Sequence, residues 1–169
     1  MNKWETDKEY ISLVNDILSN DEFKKLKVFK HHGDNRLNHV IRVSYYSYLI
    51  SKRFNMNTRS VARAGLLHDF FLVNNQDISL KERIKVLITH PKLAVENSKK
   101  HFKLNKLEEN IIISHMFPFY KALPKYKESW LVNTVDNAMA FYERYFTIKD
   151  KVKSMLENNP IYERLKVNN

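Results

Sequence analysis

Four histidines and two aspartates occupy positions that could hold metal ions: His39, His68, Asp69, His90, His115 and Asp136. Each falls on a predicted apolar helix face or at a predicted helix end. In the stretch Leu66-Leu67-His68-Asp69-Phe70-Phe71 an imidazole and a carboxylate stand among apolar residues. A buried charge must be paired, hydrogen-bonded or bound to a metal. Divalent Fe, Mn, Co, Ni and Zn accept imidazole and carboxylate together, and six ligands suffice for two ions if one carboxylate bridges.

Each of these residues also has an ordinary structural interpretation. His39 could be a core histidine that donates to a backbone carbonyl, and Asp136 could pair with Arg42 or another buried arginine. His90 could cap a helix before Pro91, and His115 could serve the end of its own helix. Because the six residues occur together in this order, metal binding is favoured over four separate structural roles.

The elements that must position these residues are predicted to be helices, because apolar residues recur with helical period along the chain. Helices are predicted over 5–19, 21–28, 35–54, 58–68, 80–87, 90–102, 105–115, 128–145 and 147–157, with loops at 30–34 and 72–79. Asp21, Thr58 and Asn105 are predicted N-caps. Pro91 is expected in the first turn of its helix. Ala64 and Gly65 form a small face that allows another helix to approach closely.

Length and composition narrow the class of protein. The chain has 169 residues, 43% of them hydrophobic, which predicts one domain over 1–169. Only two glycines occur, and neither lies in a glycine-rich loop, which excludes the known glycine-rich phosphate cradles. Cysteine is absent, so any metal must be held by His, Asp and Glu. We predict an all-α bundle of about six to nine helices.

The formal net charge is +10, which could attract nucleic acid, an anionic membrane surface or phosphorylated small molecules. No basic run exceeds two consecutive residues, and this pattern disfavours a nucleic-acid partner. No segment approaches the roughly 20 apolar residues of a membrane span, and the N-terminus lacks the apolar core of a signal peptide. The expected partner is a small phosphorylated molecule, with no membrane partner, and the expected location is the cytoplasm.

The order His39, His68-Asp69, Asp136 resembles the signature of the HD-domain metal-dependent phosphohydrolases. His90 and His115 resemble the additional ligands of the version that binds two metals. The resemblance covers residues 30–145, with the N- and C-terminal helices packed on this core. It implies that His39, His68, Asp69 and Asp136 hold a first metal, and that His90 and His115 join a bridging Asp69 on a second. His68 and Asp69 would stand at the catalytic centre.

The same resemblance implies a reaction and a substrate class. The family hydrolyses phosphomonoesters or phosphodiesters, usually of nucleotides, by hydroxide activated on one or two divalent ions (Fe, Mn, Co, Zn or Ni). Two alternatives stay open: an HD-type di-iron oxygenase, and a non-catalytic module that binds nucleotides or nucleic acid. Phe70 and Phe71 replace the Gly-Lys that follows the aspartate in the cyclic-di-GMP-specific subgroup.

Arg36 and Arg42, each about one turn from His39, are the candidate substrate-binding residues, because guanidinium groups fit phosphate oxygens. Ordinary salt bridges are the alternative role for both. The aromatic Phe117 and Phe119 could stack on a base or pack in the core. Nine Tyr, ten Phe and two Trp are more aromatics than one small core needs, which leaves a homodimer open.

Overall fold

The computed structural model describes residues 3–31, 34–73 and 79–157. In these ranges the chain forms eight α-helices, one short 3₁₀ helix and one pair of two-residue antiparallel strands. The predicted all-α class is confirmed. The helices are α1 Lys3–Thr6, α2 Lys8–Leu18, α3 Asp21–Lys24, α4 Arg36–Arg53, α5 Thr58–Leu67, α6 Leu80–His101, α7 Lys106–Ser114 and α8 Lys127–Glu157, with the 3₁₀ helix at Lys25–Val28 and strands β1 Lys30–His31 and β2 Asp34–Asn35.

Asparagine and serine side chains begin most of the helices. Asn105 caps α7 as predicted, and its side chain and that of Glu108 form a reciprocal capping box. The predicted caps Asp21 and Thr58 are wrong, because each is the first residue of its helix. The residue before it, Asn20 or Asn57, supplies the capping oxygen at 3.0 Å. Either of two adjacent polar residues can cap, and the helix begins after the one whose backbone is non-helical.

Helix α6 is continuous through Pro91, so the two predicted helices at 80–87 and 90–102 are one. A proline inside a helix has no N–H and leaves the carbonyl four residues earlier without its usual donor. That carbonyl belongs to Leu87. The Nδ1 of His90 donates to it at 2.8 Å, so the imidazole replaces the missing backbone donor and the helix continues.

Other predicted boundaries also need correction. Helix α8 runs unbroken over Lys127–Glu157, because no proline or glycine interrupts this span. The predicted helix at 5–19 is divided at Asp7, which caps α2. In the predicted loop at 30–34, strands β1 and β2 pair, and residues 32 and 33 lie outside the described ranges. Within the predicted loop at 72–79, residues 74–78 also lie outside them.

Helix α5 forms the centre of the core, and every residue from Ser60 to Leu67 is buried. It packs against α4 where Gly65 faces Ser44. A Cβ at position 65 would lie 2.7 Å from the Ser44 Cα, so the predicted close approach of a helix to Gly65 is confirmed. Apolar side chains from the other helices enclose this pair: Tyr10, Val14 and Ile17 of α2, Ile111 and Ile112 of α7, and Val132 and Val135 of α8.

Two helices expose apolar side chains. The first half of α6 exposes Leu80, Ile84 and Leu87, and the second half of α8 exposes an apolar stripe that begins at Phe141 and ends at Met155. Even so, no helix in the described part of the chain combines the length and hydrophobicity that a membrane span needs.

Candidate metal centre

The fold brings the six predicted ligand residues into one buried cluster. They come from five helices: His39 from α4, His68 and Asp69 from the end of α5, His90 from α6, His115 from the end of α7, and Asp136 from α8. All six are buried or nearly so. Three overlapping triplets have ligand atoms within 4.8 Å of one another: His39, His68 and Asp69; His68, His115 and Asp136; Asp69, His90 and His115.

Three of the four imidazoles are oriented by the backbone of their own helix. His68, His90 and His115 each donate from Nδ1 to the carbonyl three residues earlier, and each distance is 2.8 Å. This bond places a proton on Nδ1 and directs Nε2 away from the helix backbone. All three residues belong to the cluster. The local backbone therefore orients three imidazoles so that Nε2 is the atom available to a metal ion.

The His90 end of the centre consists of His90, His115 and Asp69. The two Nε2 atoms are 2.9 Å apart, and the Asp69 Oδ1 lies 3.2 Å from the first and 3.6 Å from the second. Burial, and then the charges of His68 and His90, lower the pKa of His115 to about 3. This imidazole therefore stays neutral, and a cation between these atoms would satisfy both lone pairs and the carboxylate.

The His39 end consists of His39, Asp136, Glu143 and Arg42. The Nδ1 of His39 donates to Glu143 Oε2 and its Nε2 donates to Asp136 Oδ1, both at 3.0 Å. Arg42 donates to the other oxygen of Glu143 at 2.5 Å. Burial lowers the pKa of His39, but the hydrogen bonds to Asp136 and Glu143 outweigh it and raise the pKa to about 10. The alternative pairing of Asp136 with Arg42 is wrong, because Arg42 forms its ion pair with Glu143.

Asp136 also faces the middle of the cluster. Burial raises its pKa, but the charge of His68 and the hydrogen bond from His39 outweigh this effect and hold the pKa of Asp136 below its usual range. The carboxylate is therefore ionised, as a metal ligand must be.

His68 lies between the two ends. Its ring centroid is 5.5 Å from that of His39 and 4.9 Å from that of His115. Its Nε2 is buried and makes no hydrogen bond, although the Asp136 Oδ1 is 3.5 Å away. Buried polar atoms normally have a partner, and an imidazole nitrogen beside a carboxylate suits a cation. The donor set therefore fits divalent metal ions, and the assignment of each residue to one ion stays a prediction.

A cavity of about 670 Å³ opens beside the cluster and is lined by Asp69, His90, His115 and Asp136 from it. Arg36 also lines this cavity. Its guanidinium stacks 3.8 Å from the centroid of the Phe71 ring and donates to the Phe71 carbonyl at 2.5 Å. Burial lowers the pKa of Arg36, and the charge of Asp69 opposes that shift.

The two arginines predicted to bind substrate therefore occupy different places. Arg36 lies at the cavity, whereas Arg42 is not among the residues that line it and holds Glu143 instead. Substrate binding by either residue stays a prediction.

Sequence reasoning missed two residues that support the cluster. Glu143 follows Asp136 by two helical turns on the same face of α8, and this spacing could have identified it. Asn133 donates from Nδ2 to the carbonyls of His115 at 2.5 Å and Phe117 at 3.0 Å. It lies about one turn before Asp136, and no motif distinguishes it from other polar helix residues.

Together the helical bundle and the buried cluster define an all-α protein with a candidate centre for divalent metal ions. The family model described as HD domain matches residues 36–155, and the chain belongs to this family. Most members of the HD superfamily are metal-dependent phosphohydrolases. No curated protein and no solved structure gives a significant match to the chain.

Proposed function

We propose that this protein is a metal-dependent phosphohydrolase that cleaves a phosphomonoester or phosphodiester. The observation that carries the proposal is the cluster of four imidazoles and two carboxylates beside a cavity that also contains Arg36. When bound, divalent ions in such a site polarise the phosphoryl oxygen and lower the pKa of water toward neutrality. A serine or cysteine nucleophile is then unnecessary.

The chain's own residues would orient the reacting groups. The backbone bonds to His68, His90 and His115 fix the imidazole rings before substrate arrives, which avoids reorganisation during the reaction. The Nε of Arg36 is buried without a hydrogen bond, so this donor can serve a phosphoryl oxygen. Asp69 belongs to triplets at both ends and is the proposed bridging ligand.

The family resemblance favours a nucleotide as substrate, and the cytoplasm, expected from the sequence, is the proposed place of action. The di-iron oxygenase alternative uses the same ligands, and it predicts redox-active iron and consumption of oxygen during turnover. The binding-module alternative predicts affinity for a nucleotide or a duplex without release of phosphate. A homodimer is compatible with each of the three functions.

Metal content per chain, measured by elemental analysis on protein purified without chelator, tests the centre. We expect about two ions in the parent, about one in His90→Ala and none in His68→Ala. The exposed His101 of α6 lies outside the three triplets, so His101→Ala is the matched control and keeps the parent content. Absence of metal in the parent under every loading condition would contradict the proposal.

Release of phosphate from a panel of phosphate esters tests the reaction itself. Loss of a first-metal ligand in His68→Ala should lower kcat by about a thousandfold or more, because the ions would be lost with it. His101→Ala should match the parent. If the metal-loaded parent consumes oxygen and releases no phosphate, the phosphohydrolase proposal is wrong and the oxygenase alternative is supported.

A further inference from the structure

The cavity beside the metal centre has two chemically different parts. The metal-facing part carries the carboxylates, the imidazoles and Arg36. Beyond it the walls are apolar and come from the first half of α6, the segment after α7 and the middle of α8. The apolar lining residues are Phe71, Ile84, Val86, Leu87, Ile88, Met116, Phe117, Phe119, Ala140 and Phe141.

The mouth of the cavity exposes large apolar side chains to solvent. Phe119 is 77% exposed, Phe141 75%, Leu87 56% and Ile84 50%. Exposed apolar groups gathered at a concave site are typical of ligand-binding grooves. Their position around a polar centre indicates a ligand with one charged end and one apolar end.

The cavity offers few groups for a polar or highly charged ligand. Although the chain has a formal net charge of +10, no lysine among the described residues lines the cavity, and its cationic side chains are Arg36 and Arg144. Asn137 is the lining residue with an uncharged amide, and its Nδ2 already donates to the Asn133 carbonyl at 2.8 Å. Among the described lining residues, ribose hydroxyls or a triphosphate would therefore find few partners in return for the hydration that they lose.

We propose that the substrate is a phosphate monoester of an apolar alcohol, aryl or alkyl, rather than a nucleotide. The phosphate lies at the metal centre beside Arg36, and the organic group lies against Ile84, Phe119 and Phe141. This inference rests on the proposed phosphohydrolase function and specifies its substrate class. Hydrolysis adds water across the P–O bond: phosphorus gains the water oxygen, and the alcohol leaves with a proton.

Binding can be measured without turnover by using phosphonic acids, whose carbon–phosphorus bond a phosphoester hydrolase does not cleave. Calorimetry on the metal-loaded protein compares naphthalen-1-ylphosphonic acid with methylphosphonic acid, which has the same charged group and almost no apolar part. We expect the naphthyl compound to bind at least about tenfold more tightly, because its rings leave water for the apolar wall. Equal affinities would overturn the proposal.

Two phenylalanines of α8 provide a matched pair of variants. Phe141 lines the cavity, whereas Phe146 does not, and both lie partly in solvent, so neither change should unfold the protein. Phe141→Ala should weaken binding of the naphthyl compound by about fivefold and leave methylphosphonic acid unaffected. Phe146→Ala should change neither. An equal loss in both variants would contradict a specific role for Phe141.

Turnover of 2-(1-naphthyl)ethyl phosphate, 5′-AMP and glycerol 1-phosphate, which are all esters of primary alcohols with comparable leaving groups, separates this proposal from the proposed function. We expect kcat/KM to be at least about tenfold higher for the naphthyl ester than for the other two. Hydrolysis of 5′-AMP at an equal or higher kcat/KM would overturn the proposed substrate class but still support the phosphohydrolase function. Selective naphthyl binding without hydrolysis of any ester would instead support the ligand class and overturn the reaction.

Discussion

The His39 end and the His90 end of the metal centre use the same ligand types, but different groups hold their imidazoles. At the His39 end the outer nitrogen donates to the carboxylate of Glu143, which Arg42 fixes in turn. At the His90 end both outer nitrogens donate to backbone carbonyls. A carboxylate partner makes an imidazole a stronger base than a carbonyl does, so the His39 end should bind its ion more tightly.

The two ends also differ in their access to substrate. Both imidazoles of the His90 end line the cavity, whereas the His39 end reaches it through Asp136 and not through His39. The weaker imidazole donors are therefore the ones that face the ligand. A metal ion held there would keep more positive charge for a phosphoryl oxygen, and a metal ion at the His39 end would be held more tightly. The following predictions test this division, beginning with a change that affects both ends.

Gly65→Ala should have the largest effect, because both ends depend on the close packing of α4 and α5. The new Cβ would lie 2.7 Å from the Ser44 Cα, a backbone atom that no rotamer change can move. We expect a loss of about 3 kcal/mol in the free energy of unfolding, measured by urea denaturation. Arg59→Ala, on the exposed side of α5, is the control and should stay within about 0.5 kcal/mol of the parent.

Addition of Ser44→Gly to Gly65→Ala sharpens this test. The short contact involves the Cα of residue 44, so removal of the serine side chain should not restore stability. Full recovery in the double variant would mean that the side chain, and not the backbone, limits the approach of the helices.

Glu143→Gln should weaken the His39 end selectively. The amide keeps the shape of the carboxylate but loses its charge, so it supports the His39 imidazole less well and pairs less strongly with Arg42. We expect metal affinity at this end to fall by about 10- to 100-fold, measured by competition with a chelator. Glu109→Gln, which alters a surface ion pair with Lys99, should have no effect. An equal loss of affinity at both ends would contradict the proposed difference between the His39 end and the His90 end.

Asn133→Ala should disturb the His90 end. Its Nδ2 donates to the carbonyls of His115 and Phe117, and without it two carbonyls near the cavity lose their donor. We expect a loss of about 2 kcal/mol in the free energy of unfolding and weaker binding of the second ion. Thr134→Ala is the control, because this exposed hydroxyl donates to the Trp130 carbonyl of its own helix. If the affinity for the second ion is unchanged, Asn133 stabilises the fold and does not support the metal centre.

Residue type and local pattern were enough to predict which side chains gather at the centre. A histidine or aspartate on an apolar helix face is costly unless it is compensated, and this cost can be recognised without a structure. Glu143 does not stand out by this cost, because an acidic residue between Tyr142 and Arg144 resembles an ordinary surface position; the signal that could have identified it is its spacing of two helical turns from Asp136. Its role depends on how α8 packs against α4.

The continuous α6 shows why local rules were insufficient for the fold. Proline normally ends a helix or begins one, and the sequence predicted a boundary before Pro91. The boundary is absent because a side chain, the His90 imidazole, supplies the donor that the backbone lacks. The same bond orients a candidate ligand, so the wrong boundary and the candidate site have one physical origin.

Pro91→Ala tests that common origin and should have the smallest effect on the centre. Alanine restores a backbone N–H that can donate to the Leu87 carbonyl, which now accepts from His90 Nδ1 at 2.8 Å. Because a carbonyl has two lone pairs, the imidazole would be loosened rather than released. We expect affinity for the second ion to fall by about threefold, within the range of a weakened outer hydrogen bond, while the His39 end is unchanged. Lys92→Ala, an exposed neighbour, should leave both ions as in the parent. If Pro91→Ala instead left the affinity for the second ion unchanged, packing would fix the position of His90. The Leu87 carbonyl would then have no separate role in orienting the His90 imidazole.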